Sequence, residues 1–183
     1  MEGLSLKSKR IMKFMRYLFF MMVFLAASQH SIAGIKWVDV GVNGLTCSMC
    51  TRSVEMSLRK LDFVDSVVMS LETTEGRIFL EQNVPVNFEQ IAKAVVNAGF
   101  SVRFMKLGLS FEDVSVGING LFELRGQSFQ WIRFNKERNQ GTIVLKLIDE
   151  GFLPKKEAVK FKEVIEIKNS NQTAKPLHVI KED

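Results

Sequence analysis

The chain is expected to have an α+β fold in two parts: a β-α-β-β-α-β unit over residues 34–106 and a small β-rich domain over residues 107–168. Three patterns lead to this. Val38, Val40 and Val42 alternate with Trp37, Asp39 and Gly41 in the period of two that marks a half-buried strand. Val54, Leu58 and Leu61 then recur at helical spacing, with Arg52, Glu55, Arg59 and Lys60 on the opposite face. Beyond residue 107 short β-rich runs flank Asn119-Gly120, a common two-residue hairpin turn.

Residues 1–33 read as a signal peptide. Lys7, Lys9, Arg10, Lys13 and Arg16 precede an apolar run from Tyr17 to Ala27, and Ser31-Ile32-Ala33 offers a small-x-small cleavage site before Gly34. The run is shorter than the roughly 20 residues needed to cross a bilayer, so no stable membrane insertion is expected after cleavage. No cysteine follows it directly, which excludes lipoprotein anchoring. The protein is therefore expected to be exported, to a periplasm or to the cell exterior. Of the net charge of +5, the leader's basic residues and Glu2 account for +4. The remaining chain is nearly neutral and carries no basic stripe, so nucleic acid is not an expected partner.

After the first strand, Asn43-Gly44 ends the alternation and a helix follows, with Cys50 in its first turn. Ser66 to Leu71 and Arg77 to Glu81 read as two strands joined by Glu72-Thr73-Thr74-Glu75-Gly76. Asn87, with Gln90 at the capping-box position, opens a second helix whose stripe is Ile91, Ala94, Val95 and Ala98, and Gly99 closes it. Ser101 to Met105 completes a sheet of four antiparallel strands with both helices on one face. A unit ending near Lys106 is expected to fold alone.

The chemistry lies in Cys47 and Cys50, the two cysteines of the chain. They sit where strand gives way to helix, Cys47 in the loop and Cys50 in the first turn. Free backbone N–H groups and the positive end of the helix dipole lower thiol pKa values there, making thiolate accessible near neutral pH. With only His30 and His178 as further imidazoles, a closed four-ligand zinc site is not expected. Two soft thiolates suit Cu(I), a d¹⁰ ion content with two sulfurs. The spacing alone leaves three readings open: metal binding, thiol–disulfide exchange, and a permanent structural disulfide.

Gly44-Leu45-Thr46-Cys47-Ser48-Met49-Cys50, followed by Val54-Glu55 and Leu58, resembles the glycine–methionine–threonine–cysteine–x–x–cysteine signature of heavy-metal-associated domains. Leu61-Asp62-Phe63-Val64 with Ser66-Val67-Val68-Met69 resembles that family's helix end and second strand, and Asn97-Ala98-Gly99-Phe100 its close of helix two. The resemblance covers about Ile35 to Lys106. It implies a ferredoxin-like βαββαβ fold that holds Cu(I), or another soft ion such as mercury, silver, zinc or cadmium, on Cys47 and Cys50. Leu45 stands where the family usually has a methionine beneath the loop, and Phe100 where many bacterial members have an aromatic beside it.

In the β-rich part, Ser110 to Ile118 and Leu121 to Leu124 are expected to pair as a hairpin. Ser128 to Asn135 is read as a strand with a bulge at residues 131 and 132, pairing with Thr142 to Ile148. Pro154 opens a short helix through Lys162, and Val164 to Ile167 is read as extended. Alternation alone explains the Phe129, Trp131, Ile132 and Phe134 stripe as core. The polar stretch 169–183 is expected to be a flexible tail in which His178 is solvated. Val40-Gly41-Val42-Asn43-Gly44-Leu45 recurs as Val116-Gly117-Ile118-Asn119-Gly120-Leu121, but Phe122 and Glu123 follow instead of the threonine and cysteine, so repeated turn chemistry accounts for it.

Met49, between the two cysteines, is read as a spacer. The acidic residues are scattered among lysines, and there is no phosphate loop or serine elbow, so no catalysis is expected. The leading expectation is an exported carrier that captures Cu(I) on Cys47 and Cys50 and exchanges it with a donor or acceptor protein. The alternatives are a thiol–disulfide redox protein using the same pair and an interaction module with a structural disulfide.

Overall fold

The structure, a computed structural model, describes residues 34–135, 139–169 and 175–182. The expected signal peptide over residues 1–33 lies outside them. The chain forms β1 (Ile35–Asn43), α1 (Ser48–Leu58), β2 (Val64–Ser70), β3 (Glu75–Leu80), α2 (Phe88–Asn97), β4 (Ser101–Ser110), β5 (Leu121–Leu124), β6 (Gln127–Trp131), β7 (Thr142–Leu147), α3 (Lys155–Ala158), α4 (Lys162–Asn169) and β8 (Leu177–Lys181). Among the described residues no helix is long and apolar enough to cross a membrane.

All the strands join one eight-stranded sheet in the order β2-β3-β1-β4-β7-β8-β6-β5. The first four give the antiparallel arrangement that the βαββαβ pattern predicts. The alternation of β1 points Val38, Val40 and Val42 at α1 and α2, where they join Val54, Leu58, Ile91 and Val95 in one core. Asn87 caps α2 by accepting from the backbone N–H of Gln90 at 3.2 Å. The helix ends where Gly99 takes φ +91, and the Gly99 and Phe100 N–H groups bond back to Val96 and Val95.

The expected boundary at residues 106 and 107 falls inside β4. Leu107 and Leu109 are 0% and 1% exposed, and this stretch pairs with β1 on one side and β7 on the other. The second half extends the same sheet. The physical reason is that an open β4 edge carries a row of unpaired N–H and C=O groups, which β7 satisfies. The cores merge too: Phe88 of α2 meets Phe129 of β6, which stacks on Phe122 at 5.1 Å.

Several expected pairings of the second half differ from those observed. β4 ends at Ser110 and a 3₁₀ turn, Phe111–Asp113, follows, so no hairpin forms across Asn119-Gly120. Instead β5 turns into β6 through Arg125 and Gly126, both at positive φ of 54° and 76°. β6 stops at Trp131, and beyond it Arg133 adopts φ +59. β7 pairs with β4 and β8, not with β6. Val164 to Ile167 lies within α4, not in an extended segment.

The expected flexible tail is corrected at its far end. β8 lies between β7 and β6, antiparallel to the first and parallel to the second. Val179 and His178 are both 0% exposed. His178 is held by Asp149, whose carboxylate accepts from the His178 backbone N–H at 2.5 Å and lies 2.7 Å from Nδ1. The sheet face under α3 and α4 carries a smaller core of Phe104, Ile132, Ile148 and Leu153, covered by Ala158, Phe161 and Ile165.

Candidate metal centre

The site begins where β1 runs out. Gly44 adopts φ +91, a left-handed conformation that glycine takes at no steric cost, and the chain reverses toward α1. The Phe100 ring lies against this glycine: a Cβ there would sit 3.5 Å from it. Leu45 is buried at 5% exposure and packs into the core, so the leucine fills the volume beneath the loop. The packed leucine below anchors the loop.

Cys47 is the N-cap of α1. Its φ of −149° and ψ of 159° are extended, and its Sγ accepts from the Cys50 backbone N–H at 3.2 Å. Serine, threonine, aspartate and asparagine usually fill this role; here a sulfur occupies it. Thr51 bonds twice to the Cys47 carbonyl, through its N–H and its hydroxyl, each at 3.1 Å. The sequence did not single out Thr51, although a hydroxyl four residues beyond an N-cap is a signal that could have found it.

Both predicted ligands are brought together. Cys47 and Cys50 form a disulfide with a Cα–Cα separation of 5.3 Å. Cys47 is exposed while Cys50 is half-buried against the core. The first turn of α1 has no acidic residue, so nothing there offsets the positive end of the helix dipole, and exposed Arg52 adds to it. Once reduced, the pair sits in a field that favours thiolate over thiol. Met49 projects into solvent at 74% exposure, consistent with a spacer.

Among the described residues no cluster of three or more His, Cys, Asp or Glu side chains suits a metal ion. His178 lies three strands from β1, about 14 Å across the sheet at the usual strand spacing, with its Nδ1 engaged by Asp149. A two-sulfur site open to solvent fits a soft ion of low coordination number and leaves room for an incoming thiolate.

The model of the heavy-metal-associated domain matches residues 39–101. The chain is 31% identical over 64 residues to the copper chaperone CopZ of Staphylococcus haemolyticus (strain JCSC1435), covering 35% of this chain and 93% of that protein. It is 31% identical over 80 residues to the cation-transporting ATPase HMA5 of Oryza sativa subsp. japonica, covering 44% of this chain but 8% of the ATPase. It is 29% identical over 68 residues to the mercuric transport protein periplasmic component of Pseudomonas fluorescens, covering 37% of this chain and 74% of that protein. The matched stretch holds β1 from Asp39, both cysteines, and Phe100.

Proposed function

Because the chain belongs to the heavy-metal-associated domain family, whose domains bind heavy metals, we propose that it captures Cu(I) on Cys47 and Cys50 and passes it to another protein. The observation that carries this reading is the convergence of the two cysteines on the N-terminus of α1, with Cys47 exposed and its sulfur hydrogen-bonded by the Cys50 N–H. Loss of two protons gives two soft thiolates, and the helix terminus stabilises the charge they carry. Cu(I) is content with two such ligands, and the metal then has an open side. An approaching thiolate of a donor or acceptor adds there and one of the chain's sulfurs departs, so the ion moves without becoming free. Binding and transfer, not turnover, are the function.

Export follows in this proposal from the basic and apolar pattern of residues 1–33, and the periplasm or cell exterior is the proposed place of work. The test of the metal reading is a competition titration of the reduced chain against a Cu(I) indicator. One ion per chain is expected, and unchanged affinity in the Cys47→Ser/Cys50→Ser double variant would refute it. Mercury, silver, zinc and cadmium are the competing ions to titrate in parallel.

The disulfide between the cysteines favours a second reading, a thiol–disulfide exchange protein that uses Cys47 as its exposed attacking thiolate. Catalysed reduction of a model disulfide protein by the reduced chain, at unchanged rate when copper is present, is the result that would select it. A third, an interaction module with a permanent disulfide, requires that the bond resist reduction by glutathione.

A further inference from the structure

We propose that the Cys47–Cys50 bond is opened by a separate dithiol protein that docks on the exposed methionine face of α1, so that the chain receives two electrons before it receives metal. The inference rests on the metal-carrier reading above and adds the partner that prepares the site. Its first ground is a count. The chain has two cysteines, both in the disulfide, so no thiol within it can attack the bond. Capture by thiolates then requires a reductant from outside.

The second ground is the surface beside the bond. Met49 and Met56 are 74% and 45% exposed, far more than the buried Val54 and Leu58 on the other side of the same helix. Seven residues is close to two helical turns, so both methionines share one face of α1, with the small Ser53 between them. Met56 and Ser53 also line a groove between α1 and α2 together with Lys60, Lys93 and Ala98. Flexible thioethers on an otherwise polar surface adapt to a protein partner's contour, and this patch begins between the two cysteines.

The chemistry divides into two displacements. A thiolate of the partner attacks exposed Cys47 Sγ. The sulfur–sulfur bond to Cys50 breaks, and Cys50 leaves as thiolate or, with a proton from solvent, as thiol. The partner's second thiolate then attacks its own sulfur in the mixed disulfide and expels Cys47. That leaving thiolate is received by the Cys50 N–H, which already lies 3.2 Å from Cys47 Sγ. A better-stabilised leaving group departs faster. The chain ends with both cysteines reduced, and the partner ends with one disulfide.

The test uses the oxidised full-length mature chain, with reduced thioredoxin as the protein dithiol and dithiothreitol as the small one at equal concentration. Both of the chain's thiols are expected to appear, at least about tenfold faster with the protein dithiol, since docking adds to the intrinsic exchange rate. The Met49→Ser/Met56→Ser double variant should lose that advantage while its rate with dithiothreitol stays unchanged. Thioredoxin lacking its resolving cysteine should be trapped on Cys47. A mixed disulfide on Cys50, or a protein dithiol with no advantage over the small one, overturns the proposal. Copper titration separates the two readings: a chain opened by thioredoxin that takes no Cu(I) ends the carrier reading and leaves the docking intact. A chain that binds Cu(I) after dithiothreitol but is not opened by thioredoxin ends the docking proposal alone.

Discussion

Phe88, the first residue of α2, meets Phe129 of β6 edge-on, with ring centroids 5.6 Å apart and planes at 73°. Both are 0% exposed. The first is in the metal-binding half and the second is 41 positions along the chain, so this contact ties the two halves into one core. Phe129→Ala is expected to destabilise the whole fold by about 3–5 kcal/mol, the usual cost of emptying a buried aromatic site. Thermal unfolding followed by circular dichroism and by Trp37 and Trp131 fluorescence should show one transition shifted together. Two separate transitions would mean that the halves fold apart.

Truncation after Lys106 tests the same point more severely. It cuts β4 before Leu107 and Leu109, removes β7 from the edge of β4, and uncovers Phe88. The truncated chain is expected to unfold with low cooperativity and to expose apolar surface that binds a hydrophobic dye. A sharp transition and full Cu(I) affinity in the truncated chain would show that the first four strands suffice.

The local features and the pairing of the first four strands were legible in the sequence, and the pairings of the second half were not. Asn87 and Gln90 cap a helix through contacts three residues apart, and Val38, Val40 and Val42 declare a buried face by alternation alone. Gly44, Cys47 and Cys50 are likewise fixed by neighbours along the chain. The position of β7 depends on β4's need for a partner, which no short window contains. His178 reads as solvated because a lone histidine beside Lys175 and Lys181 usually is; it is buried because Asp149, 29 positions earlier, supplies two acceptor contacts. Val164, Ile165 and Ile167 favour a strand by side-chain type, yet Phe161 and Ile165 are four apart and meet the sheet as one helical stripe.

Asp149→Ala should expose the dependence of β8 on that carboxylate. The variant leaves the His178 backbone N–H and Nδ1 without their acceptor in a residue that is 0% exposed, and an unsatisfied buried donor costs about 1–3 kcal/mol. Asp149→Asn, which keeps an acceptor oxygen, should recover part of the loss. Hydrogen exchange at Val179 and Ile180 is the direct readout, and unchanged protection in Asp149→Ala would refute the assignment.

Glu112 makes a prediction in acid. Its carboxylate accepts from the Gly141 N–H at 2.6 Å, then from its own backbone N–H and from the Ser110 hydroxyl, and these contacts hold its pKa below the ordinary 4.5. Because the folded value lies below the unfolded one, the stabilisation is fully present above pH 4.5 and is lost as pH falls through the folded value. The side chain is open to solvent, so the effect is small and sensitive to salt. Glu112→Gln should remove this part of the acid dependence and leave neutral-pH metal binding intact. Acid unfolding curves of the two proteins that superimpose would sink it.

Deletion of the chain from Leu177 onward gives the sharpest test of how the sheet is closed. β8 is the strand through which the β5–β6 hairpin joins β7, so its loss opens two edges inside the sheet. It also removes Val179 from the core, the Val179 carbonyl that receives the Ile132 N–H, and the salt bridge from Glu182 to Lys106 at 2.8 Å. The last of these spans partly exposed groups and contributes little. The open edges and the lost burial are the larger effects, because unpaired strands recruit other chains. The deleted protein is therefore expected to aggregate at concentrations where the full chain stays monodisperse, measured by light scattering. A synthetic peptide covering Leu177–Lys181 with its flanking residues, added during refolding, should lower that scattering by filling the gap. A monodisperse deleted chain with normal cooperativity would show that β7 and β6 close the sheet without β8.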